Sequence, residues 1–406
     1  MDIKWIDGGV TAPKGFKASG VHAGIRRNKM KKDLALIVAE KPCVASAVYT
    51  RNKVFGAPIT VTRKNLENGI AEAVICNSGN ANTCNADGVE KAAAMTKLVE
   101  LHTGIKSENV IVASTGVIGQ TLPIEPIENA MSSLVGALSL EGSGDAANAI
   151  MTTDTVKKEF AVETVIDGKT VRIGAIAKGS GMIHPNMATM LAFVTSDVSI
   201  SKEMLDKVAK EVVDDTINMI SVDGDTSTND MMTVMASGLA GNAEIDCDGE
   251  DYKIFKEALF ALLKKTAMTL AKDGEGATKL VECQVVGGSD MKIAKAIAKS
   301  VITSSLLKAA LFASDANWGR ILCAIGYTEG DFDITKVDVK LVSKVGEITV
   351  CENGSGVEFS EEKATKVLDT DEVTVYVDMK DGEASATAWG CDLTYDYVKI
   401  NADYRT

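Results

Sequence analysis

The chain has 406 residues, 46% of them hydrophobic, and its 56 Asp and Glu outnumber its 43 Lys and Arg to give a formal net charge of −13. At roughly 100–200 residues per domain, this length predicts two or three domains with sizeable cores. The negative charge argues against nucleic-acid or membrane-surface binding, and no stretch reaches the ~18 uninterrupted apolar residues that predict a membrane span.

The first half of the chain alternates extended and amphipathic patterns. Strands are predicted at 33–38, 44–49, 73–76 and 109–113, and helices at 89–101 and 124–138. The dipeptide Asp167-Gly168 between 160–166 and 170–176 predicts a β-hairpin. A flexible loop over 178–187 then leads to a strand at 190–194.

The second half carries longer amphipathic helices and then becomes rich in strands. Helices are predicted near 202–213, 251–270 and 291–313, and the last strands at 373–377, 383–389 and 395–400. This order predicts an α/β (α+β layered) architecture rather than a helical bundle or a β-sandwich. No repeat or linker marks a boundary between lobes.

The few cysteines and histidines narrow the possible chemistry. None of the eight cysteines forms a Cys-x-x-Cys pair, and Cys323 illustrates their apolar surroundings, so they are predicted to be reduced core residues rather than zinc ligands. Neither His22, His102 nor His184 lies in a G-x-S-x-G or H-E-x-x-H motif. Any acyl chemistry should therefore use a base other than imidazole. The N-terminus has no apolar signal core, which predicts a cytoplasmic location.

The glycine-rich loop before Thr189 has the residues that self-cleavage requires. Ala188 leaves its carbonyl sterically open to the Thr189 hydroxyl, and Gly179 and Gly181 permit unusual backbone geometry. Attack of the hydroxyl on that carbonyl, followed by hydrolysis of the ester, would free the Thr189 α-amine as a built-in base. Roughly 10–15% of such an amine is neutral at pH 7, against about 0.04% of a lysine. The residue pattern alone also suits a flexible loop before an ordinary edge strand.

The loop also resembles the self-cleavage motif of a known family. The segment KGSGMIHPNMATML, residues 178–191, is similar to that motif in the ornithine acetyltransferases, which are also called glutamate N-acetyltransferases. Four more segments resemble family motifs in the family's order. They are ASTGVIG (113–119), MTTDT (151–155), DGEGATK (273–279) and NADYRT (401–406).

The resemblance implies a fold, a cleavage and a reaction. The implied fold is of the ornithine-acetyltransferase type, similar in layering to the N-terminal-nucleophile hydrolases. Cleavage after Ala188 would give an α chain, 1–188, and a β chain, 189–406, which remain together and pair into a dimer of heterodimers. Thr189 would take the acetyl group of N2-acetylornithine and pass it to glutamate, a step of arginine biosynthesis. No cofactor or metal is implied, although acetyl-CoA is a candidate donor for a second, N-acetylglutamate synthase activity.

The resemblance also assigns the other site residues. Thr115 and Gly116 match the family's oxyanion hole. The positions that match substrate contacts are Thr152, Lys178, Thr189, Glu275, Asn401 and Thr406. Thr153 competes with Thr152 because both lie in one motif. We expect Lys178 to meet the substrate's α-carboxylate and Glu275 to meet its side-chain ammonium group.

Two other segments resemble ligand-binding motifs but lack the residues or the spacing that those motifs require. Two other functions remain open. Residues 223–230 begin like a calcium loop but lack its required Gly and Glu, so we interpret them as a polar turn that suits the edge of the site. Residues 274–279 lack the spacing of a phosphate loop. The alternative enzyme is an N-terminal-nucleophile aminopeptidase or amidohydrolase, which passes the acyl group to water. The non-enzymatic alternative is an uncleaved binding protein.

Overall fold

Two β-sheets organise the protein, whose computed structural model describes residues 2–26, 28, 30–184 and 190–403. The strands are β1 (Lys4–Ile6), β2 (Phe16–Val21), β3 (Leu34–Tyr49), β4 (Ile70–Asn80), β5 (Val110–Val117), β6 (Lys158–Ile166), β7 (Lys169–Lys178), β8 (Leu191–Ser196), β9 (Met231–Ala236), β10 (Leu280–Gly288), β11 (Asp338–Ser343), β12 (Gly346–Glu352), β13 (Ser355–Gly356), β14 (Glu372–Asp378) and β15 (Ala384–Cys391). The helices are α1 (Ala57–Asn65), α2 (Gly88–Thr103), α3 (Glu125–Gly136), α4 (Ser143–Ile150), α5 (Lys202–Asp215), α6 (Glu250–Lys272), α7 (Met291–Thr303), α8 (Ser305–Phe312), α9 (Trp318–Gly326), α10 (Glu361–Leu368) and α11 (Tyr395–Asp403).

The first sheet has nine strands in the order β1-β6-β7-β8-β9-β3-β4-β5, with β2 also paired to β3. The pairs β8–β9 and β4–β5 are parallel, and the other pairs are antiparallel. The early part of β3 pairs with β2, and its later part pairs with β9. Its register against β4 shifts between Val38 and Cys43, so the two strands predicted here are one irregular strand.

The second sheet has six strands in the order β13-β12-β11-β14-β10-β15. Its one parallel pair among the described strands is β10–β14. Helix α7 packs against β10 and β15 through buried residues that include Ala294, Ile297 and Val301. Their spacing of three and four residues gives the helix one apolar stripe.

Helix α6 joins the two sheets into one core. It contacts β6 and β7 of the first sheet and β10 and β15 of the second. Its residues Leu259, Leu262 and Leu263 belong to one buried cluster that also contains Val171 of β7 and Val281 of β10. Burying a Leu side chain contributes ~1.5–3 kcal/mol, so this helix stabilises the arrangement of both sheets.

The layered α/β prediction is confirmed, and several element boundaries follow the sequence pattern. Helices α2 and α3 and the β6–β7 hairpin lie where the sequence predicts them. The helix predicted over 291–313 is broken at Ser304, whose hydroxyl accepts a hydrogen bond from Leu307 N and so begins α8. Among the described residues, no helix is long and apolar enough to cross a membrane.

Two further local predictions are wrong. The strand predicted at 395–400 is helix α11, since Thr394 accepts a hydrogen bond from Tyr397 N at 3.4 Å as a helix N-cap does. Cys84, Cys247 and Cys323 are exposed rather than core residues, whereas the other five cysteines are buried. Cys323 lies on the outer side of α9, while Ile321 and Ala324 point inward.

Candidate active site

A pocket of about 250 Å³ gathers residues from segments that are far apart in the sequence. It is lined by Ala81, Thr115, Gly116, Ile118, Thr152, Thr153, Lys178, Gly181, Met182, Ser227, Thr228, Asn229, Glu275 and Asn401. Every predicted site residue within the described part of the chain is on this surface. Thr152 and Thr153 both line it, so the choice between them stays open.

Three predicted residues, Ala188, Thr189 and Thr406, lie outside the described residues. The chain is held on both sides of 185–189. The carbonyl oxygen of His184 accepts a hydrogen bond from Thr226 Oγ1 at 2.8 Å, and that of Met190 accepts one from Met231 N at 2.9 Å.

Thr115 and Gly116, near the end of strand β5, line the pocket. Gly116 pairs with Gly79 of the parallel strand β4 and has a φ of +128°. A Cβ atom at position 116 would lie 2.6 Å from the carbonyl carbon of Gly79. Both the backbone conformation and the close approach of the strands therefore require glycine here.

Lys178 is the last residue of β7 and is buried beside the β5 residues. It pairs with Leu191 of β8, and its Nζ lies 3.4 Å from Thr115 Oγ1. Burial lowers the pKa of Lys178 below its usual value, although the negative charge of Asp154 opposes this effect.

Asp154 connects the loop after α4 to the loop after β7. Its carboxylate accepts hydrogen bonds from Thr152 N at 2.9 Å, Gly179 N at 2.7 Å and Lys158 Nζ at 2.7 Å. Burial raises the pKa of Asp154, but the charges of Lys178 and Lys158 and the hydrogen bond from Gly179 outweigh burial and lower it to about 2. Asp154 therefore fixes two walls of the pocket relative to each other.

A second buried carboxylate, Asp273, completes this network from the end of α6. Lys158 Nζ donates to both Asp154 and Asp273, and the Lys158 side chain is fully buried. The carbonyl of Asp273 accepts a hydrogen bond from Ser180 Oγ at 2.7 Å. The network thus anchors the segment that continues to Glu275.

Glu275 lies directly against the glycine-rich loop. Its backbone N–H donates to Ser180 O at 2.9 Å, and a Cβ at Gly181 would lie 2.4 Å from its carboxyl carbon. Asn401 Nδ2 donates to Glu275 Oε2 at 2.8 Å, which brings α11 to the pocket. A larger residue at 181 would displace the Glu275 carboxylate from this position.

The polar turn at 223–230 does line the pocket, through Ser227, Thr228 and Asn229. Asn229 Nδ2 donates to Ser114 O at 2.9 Å and its Oδ1 accepts from Thr83 Oγ1 at 2.7 Å. Burial raises the pKa of Asp230 well above its usual value. Its Oδ2 is buried without a hydrogen-bond partner in the described part of the chain.

Sequence reasoning missed the residues that hold the pocket together. Asp154 and Asp273 lie in the motifs 151–155 and 273–279, and Asn229 lies in the polar turn, but neither these residues nor Lys158 give a local signal of the contacts that they make. Within the described ranges, no group of three or more His, Cys, Asp or Glu side chains is placed to hold a metal ion. The pocket combines a buried cation, a carboxylate and several hydroxyl groups, which suits a small molecule that carries both charges.

Comparisons of this chain with known sequences and structures agree on one family. The ArgJ family matches residues 17–406. Arginine biosynthesis bifunctional protein ArgJ 1 of Clostridium acetobutylicum is 51% identical over 392 residues, with 96% of each chain covered. The ArgJ bifunctional protein of Symbiobacterium thermophilum is 50% identical over 406 residues, with both chains fully covered. The crystal structure of Bacillus halodurans argJ is 43% identical with a TM-score of 0.51, covering all of that chain and 53% of this one.

Proposed function

This chain belongs to the ArgJ family, and from that premise we propose that it is an acetyltransferase of arginine biosynthesis. It moves the acetyl group of N2-acetylornithine to glutamate through an acetyl ester on Thr189. The observation that carries the proposal is the convergence of Thr115, Lys178, Glu275 and Asn401 on one pocket beside the loop that leads to Thr189.

The charges of the pocket support an amino-acid substrate. Lys178 offers a cation to an α-carboxylate, and Glu275 offers an anion to the side-chain ammonium group of ornithine. A buried ion pair needs good geometry to offset its desolvation cost. Asp154 accepts a hydrogen bond from the backbone of Gly179, next to Lys178, and Asn401 donates one to Glu275, so both charged residues have fixed positions. Lysine is a suitable ligand for a carboxylate because its ammonium group is a compact point charge.

The first chemical step is cleavage of the peptide bond between Ala188 and Thr189. The Thr189 hydroxyl attacks the Ala188 carbonyl, the peptide C–N bond breaks, and water hydrolyses the resulting ester. The α chain, 1–188, and the β chain, 189–406, then stay together in one unit that dimerises. The Bacillus halodurans chain supports this proposal because it matches 53% of the present chain, close to the share of a fragment spanning 189–406.

The transfer then uses the new N-terminus of Thr189. Its hydroxyl attacks the acetyl carbonyl of N2-acetylornithine, and its α-amine accepts the hydroxyl proton and gives it to the departing ornithine nitrogen. Glutamate reverses these steps and leaves as N-acetylglutamate. Because the enzyme holds the acetyl group between two substrates, ping-pong kinetics should follow.

Thr115 and Gly116 stabilise the oxyanion that forms in each transfer step. Because Lys178 Nζ donates toward Thr115 Oγ1, the Thr115 hydroxyl is left to donate its own proton to the oxyanion. The Gly116 N–H is the second donor. Donors of this kind each contribute ~10²–10³ in rate when they are fixed before the reaction.

We also propose that acetyl-CoA serves as a second acetyl donor, which would give an N-acetylglutamate synthase activity. The support is that the curated relatives are called bifunctional. The thioester would acylate the same Thr189 hydroxyl, and no other cofactor takes part. We further propose that the enzyme acts in the cytoplasm.

Two measurements on the purified wild-type protein test the proposal. Intact-mass spectrometry should give two chains, 1–188 and 189–406. Incubation with N2-acetylornithine and glutamate should release ornithine and N-acetylglutamate in equal amounts. A protein that stays a single 406-residue chain and is active would contradict the proposed catalyst.

The same incubation separates the transferase from an N-terminal-nucleophile aminopeptidase or amidohydrolase. A hydrolase would release acetate and ornithine whether or not glutamate is present. A transferase requires glutamate as the acceptor, so omitting it should stop turnover after one acetyl group per active site.

A further inference from the structure

Two adjoining cavities lie outside the active pocket and meet at Arg51. One has a volume of about 400 Å³ and the other about 500 Å³. We call their joint surface the cationic groove. Its polar and aromatic lining residues are Tyr49, Thr50, Arg51, Asn52, Lys53, Phe55, Arg63, His184, Lys210, Asp214, Asn218, Lys295, Lys299, Ser300 and Thr303.

The groove is strongly positive although the chain carries a net charge of −13. Six of its lining residues are cationic and one, Asp214, is acidic. Lys295 is neutralised by Asp215 at 2.6 Å and Asp214 at 3.5 Å. Among the ion pairs of the described chain, none involves Arg51 or Lys210. Such a concentration of positive charge attracts a polyanionic ligand.

One end of the groove also presents flat, stacked groups. The Arg63 guanidinium lies 4.9 Å from the ring centre of Tyr49 and 5.4 Å from that of Phe55. The Phe55 side chain is 42% exposed. An aromatic face and a guanidinium plane beside cations such as Arg51 and Lys210 are the features that bind a nucleobase together with its phosphates.

The groove lies directly behind one wall of the active pocket. Thr50 Oγ1 donates to Ser227 O at 2.9 Å, and Asn52 Nδ2 donates to Thr226 O at 2.8 Å. Ser227 lines the active pocket, whereas Thr50 and Asn52 line the groove. The 226–230 segment therefore separates the two sites, and His184 of the glycine-rich loop lines the groove as well.

We propose that the cationic groove binds the nucleotide portion of the acetyl-CoA donor, with its phosphates on Arg51 and Lys210 and its adenine near Phe55 and Arg63. This inference rests on the proposed function, because it presupposes a thioester that acylates Thr189. The flexible pantetheine arm then carries the acetyl group around the 226–230 segment to the active pocket. N2-acetylornithine has no phosphate and does not use the groove.

The test compares a charge-reversed groove with a matched control. The groove variant is Arg51→Glu/Lys210→Glu, and the control is Lys97→Glu/Lys363→Glu, which changes the net charge equally at exposed lysines outside every cavity described here. Synthesis of N-acetylglutamate is measured with acetyl-CoA and with S-acetylpantetheine, which lacks the nucleotide. The groove variant should raise KM for acetyl-CoA at least tenfold and leave KM for S-acetylpantetheine within about twofold.

A binding assay tests the groove without relying on catalysis. Isothermal titration calorimetry measures the affinity for CoA directly. Wild type and control should bind CoA more tightly than pantetheine, and the groove variant should lose most of that preference. The preference should also decline with added salt, because phosphate–cation attraction is screened. Far-UV circular dichroism and thermal unfolding check that all variants are folded.

Several results would overturn the inference. Equal losses with acetyl-CoA and S-acetylpantetheine, or with groove and control variants, would show that no nucleotide is bound here. Inorganic pyrophosphate or a single-stranded oligonucleotide that binds as tightly as CoA would exclude a site specific for this nucleotide. If the wild type transfers acetyl from N2-acetylornithine but does not bind CoA, the groove inference and the proposed synthase activity fail, and the proposed transfer from N2-acetylornithine to glutamate stands. If CoA binds through the groove but no acetyl group moves, the proposed function fails instead.

Discussion

The active pocket and the cationic groove lie on opposite sides of residues 226–230, and their charges are held in different ways. In the wall of the pocket, Lys158 is fully buried between Asp154 and Asp273. In the groove, Arg51 and Lys210 are exposed. Buried charges with fixed partners give a site the rigid geometry that chemistry requires. Exposed charges attract a ligand but contribute little to the fold.

This difference separates two kinds of substitution. Changes in the buried network of the pocket wall should damage stability or kcat, because several loops share that network, whereas a change at the exposed end of the pocket should mainly raise KM. Changes in the groove should damage affinity for one substrate alone. The groove variant Arg51→Glu/Lys210→Glu tests the second kind, and the substitutions below test the pocket.

The largest effect should come from Thr189→Ala. The substitution removes the hydroxyl that cleavage and transfer both need, so the chain should remain unsplit and ornithine release should fall by at least about 10⁴-fold. Thr189→Ser is the control, since it keeps a hydroxyl and should still cleave and turn over. Intact-mass spectrometry and an ornithine assay measure both steps. Substantial turnover by the Ala variant would remove Thr189 from the mechanism.

Lys158→Met should cost the most stability. It leaves Asp154 and Asp273 as two buried carboxylates without their shared cation, and breaking a buried pair in this way costs ~3–5 kcal/mol. The matched control is Lys366→Met, which breaks an exposed pair with Glu362 at the same spacing of four residues and should cost at most ~1 kcal/mol. Urea denaturation measures the free energy of unfolding of both variants and of the wild type. Equal losses would mean that burial does not distinguish these networks.

The sequence predicts the residues that line the pocket better than the residues that hold them in place. Motifs at 113–119, 151–155, 178–191, 273–279 and 401–406 contain the described residues that line the pocket except Ala81, Ser227, Thr228 and Asn229. Local patterns carry no signal for Lys158 meeting Asp273, because 115 positions separate them and only the packing of α6 against β6 joins them. The groove cannot be predicted from the sequence for the same reason, because its cationic residues are spread over positions 51 to 299 of the chain.

Some elements were mispredicted because tertiary contacts decide them. The alternating residues of 395–400 resemble a strand, yet the Thr394 cap and the contact between Asn401 and Glu275 place a helix there. The single strand β3 reads as two strands in the sequence because its middle is irregular. In both cases the side chains alternate over too few residues to identify the element.

Asp154 should make the stability of the protein depend on pH. Its pKa is about 2 in the folded protein and 3.8 without the fold, so the folded state binds its proton more weakly. Stability from this group is therefore complete above about pH 4 and is lost as the pH falls toward 2, by about 2 kcal/mol in total. Urea unfolding at pH 6, 4 and 3 should show a smaller acid loss in Asp154→Asn than in wild type. Identical pH dependences would contradict the low pKa.

The smallest effect should come from Asn401→Ala, which tests whether the exposed end of the pocket matters for binding. The substitution removes the hydrogen bond to Glu275 Oε2, and a bond of this kind is worth ~0.5–3 kcal/mol. Because Glu275 then loses a fixed position rather than its charge, KM for N2-acetylornithine should rise a few-fold while kcat changes little. Asn109→Ala is the matched control, as it removes the same type of bond, from Asn109 Nδ2 to Glu72 Oε1, away from the pocket. Its KM should equal that of wild type, and a parallel rise in both variants would show that the loss is not specific to Glu275.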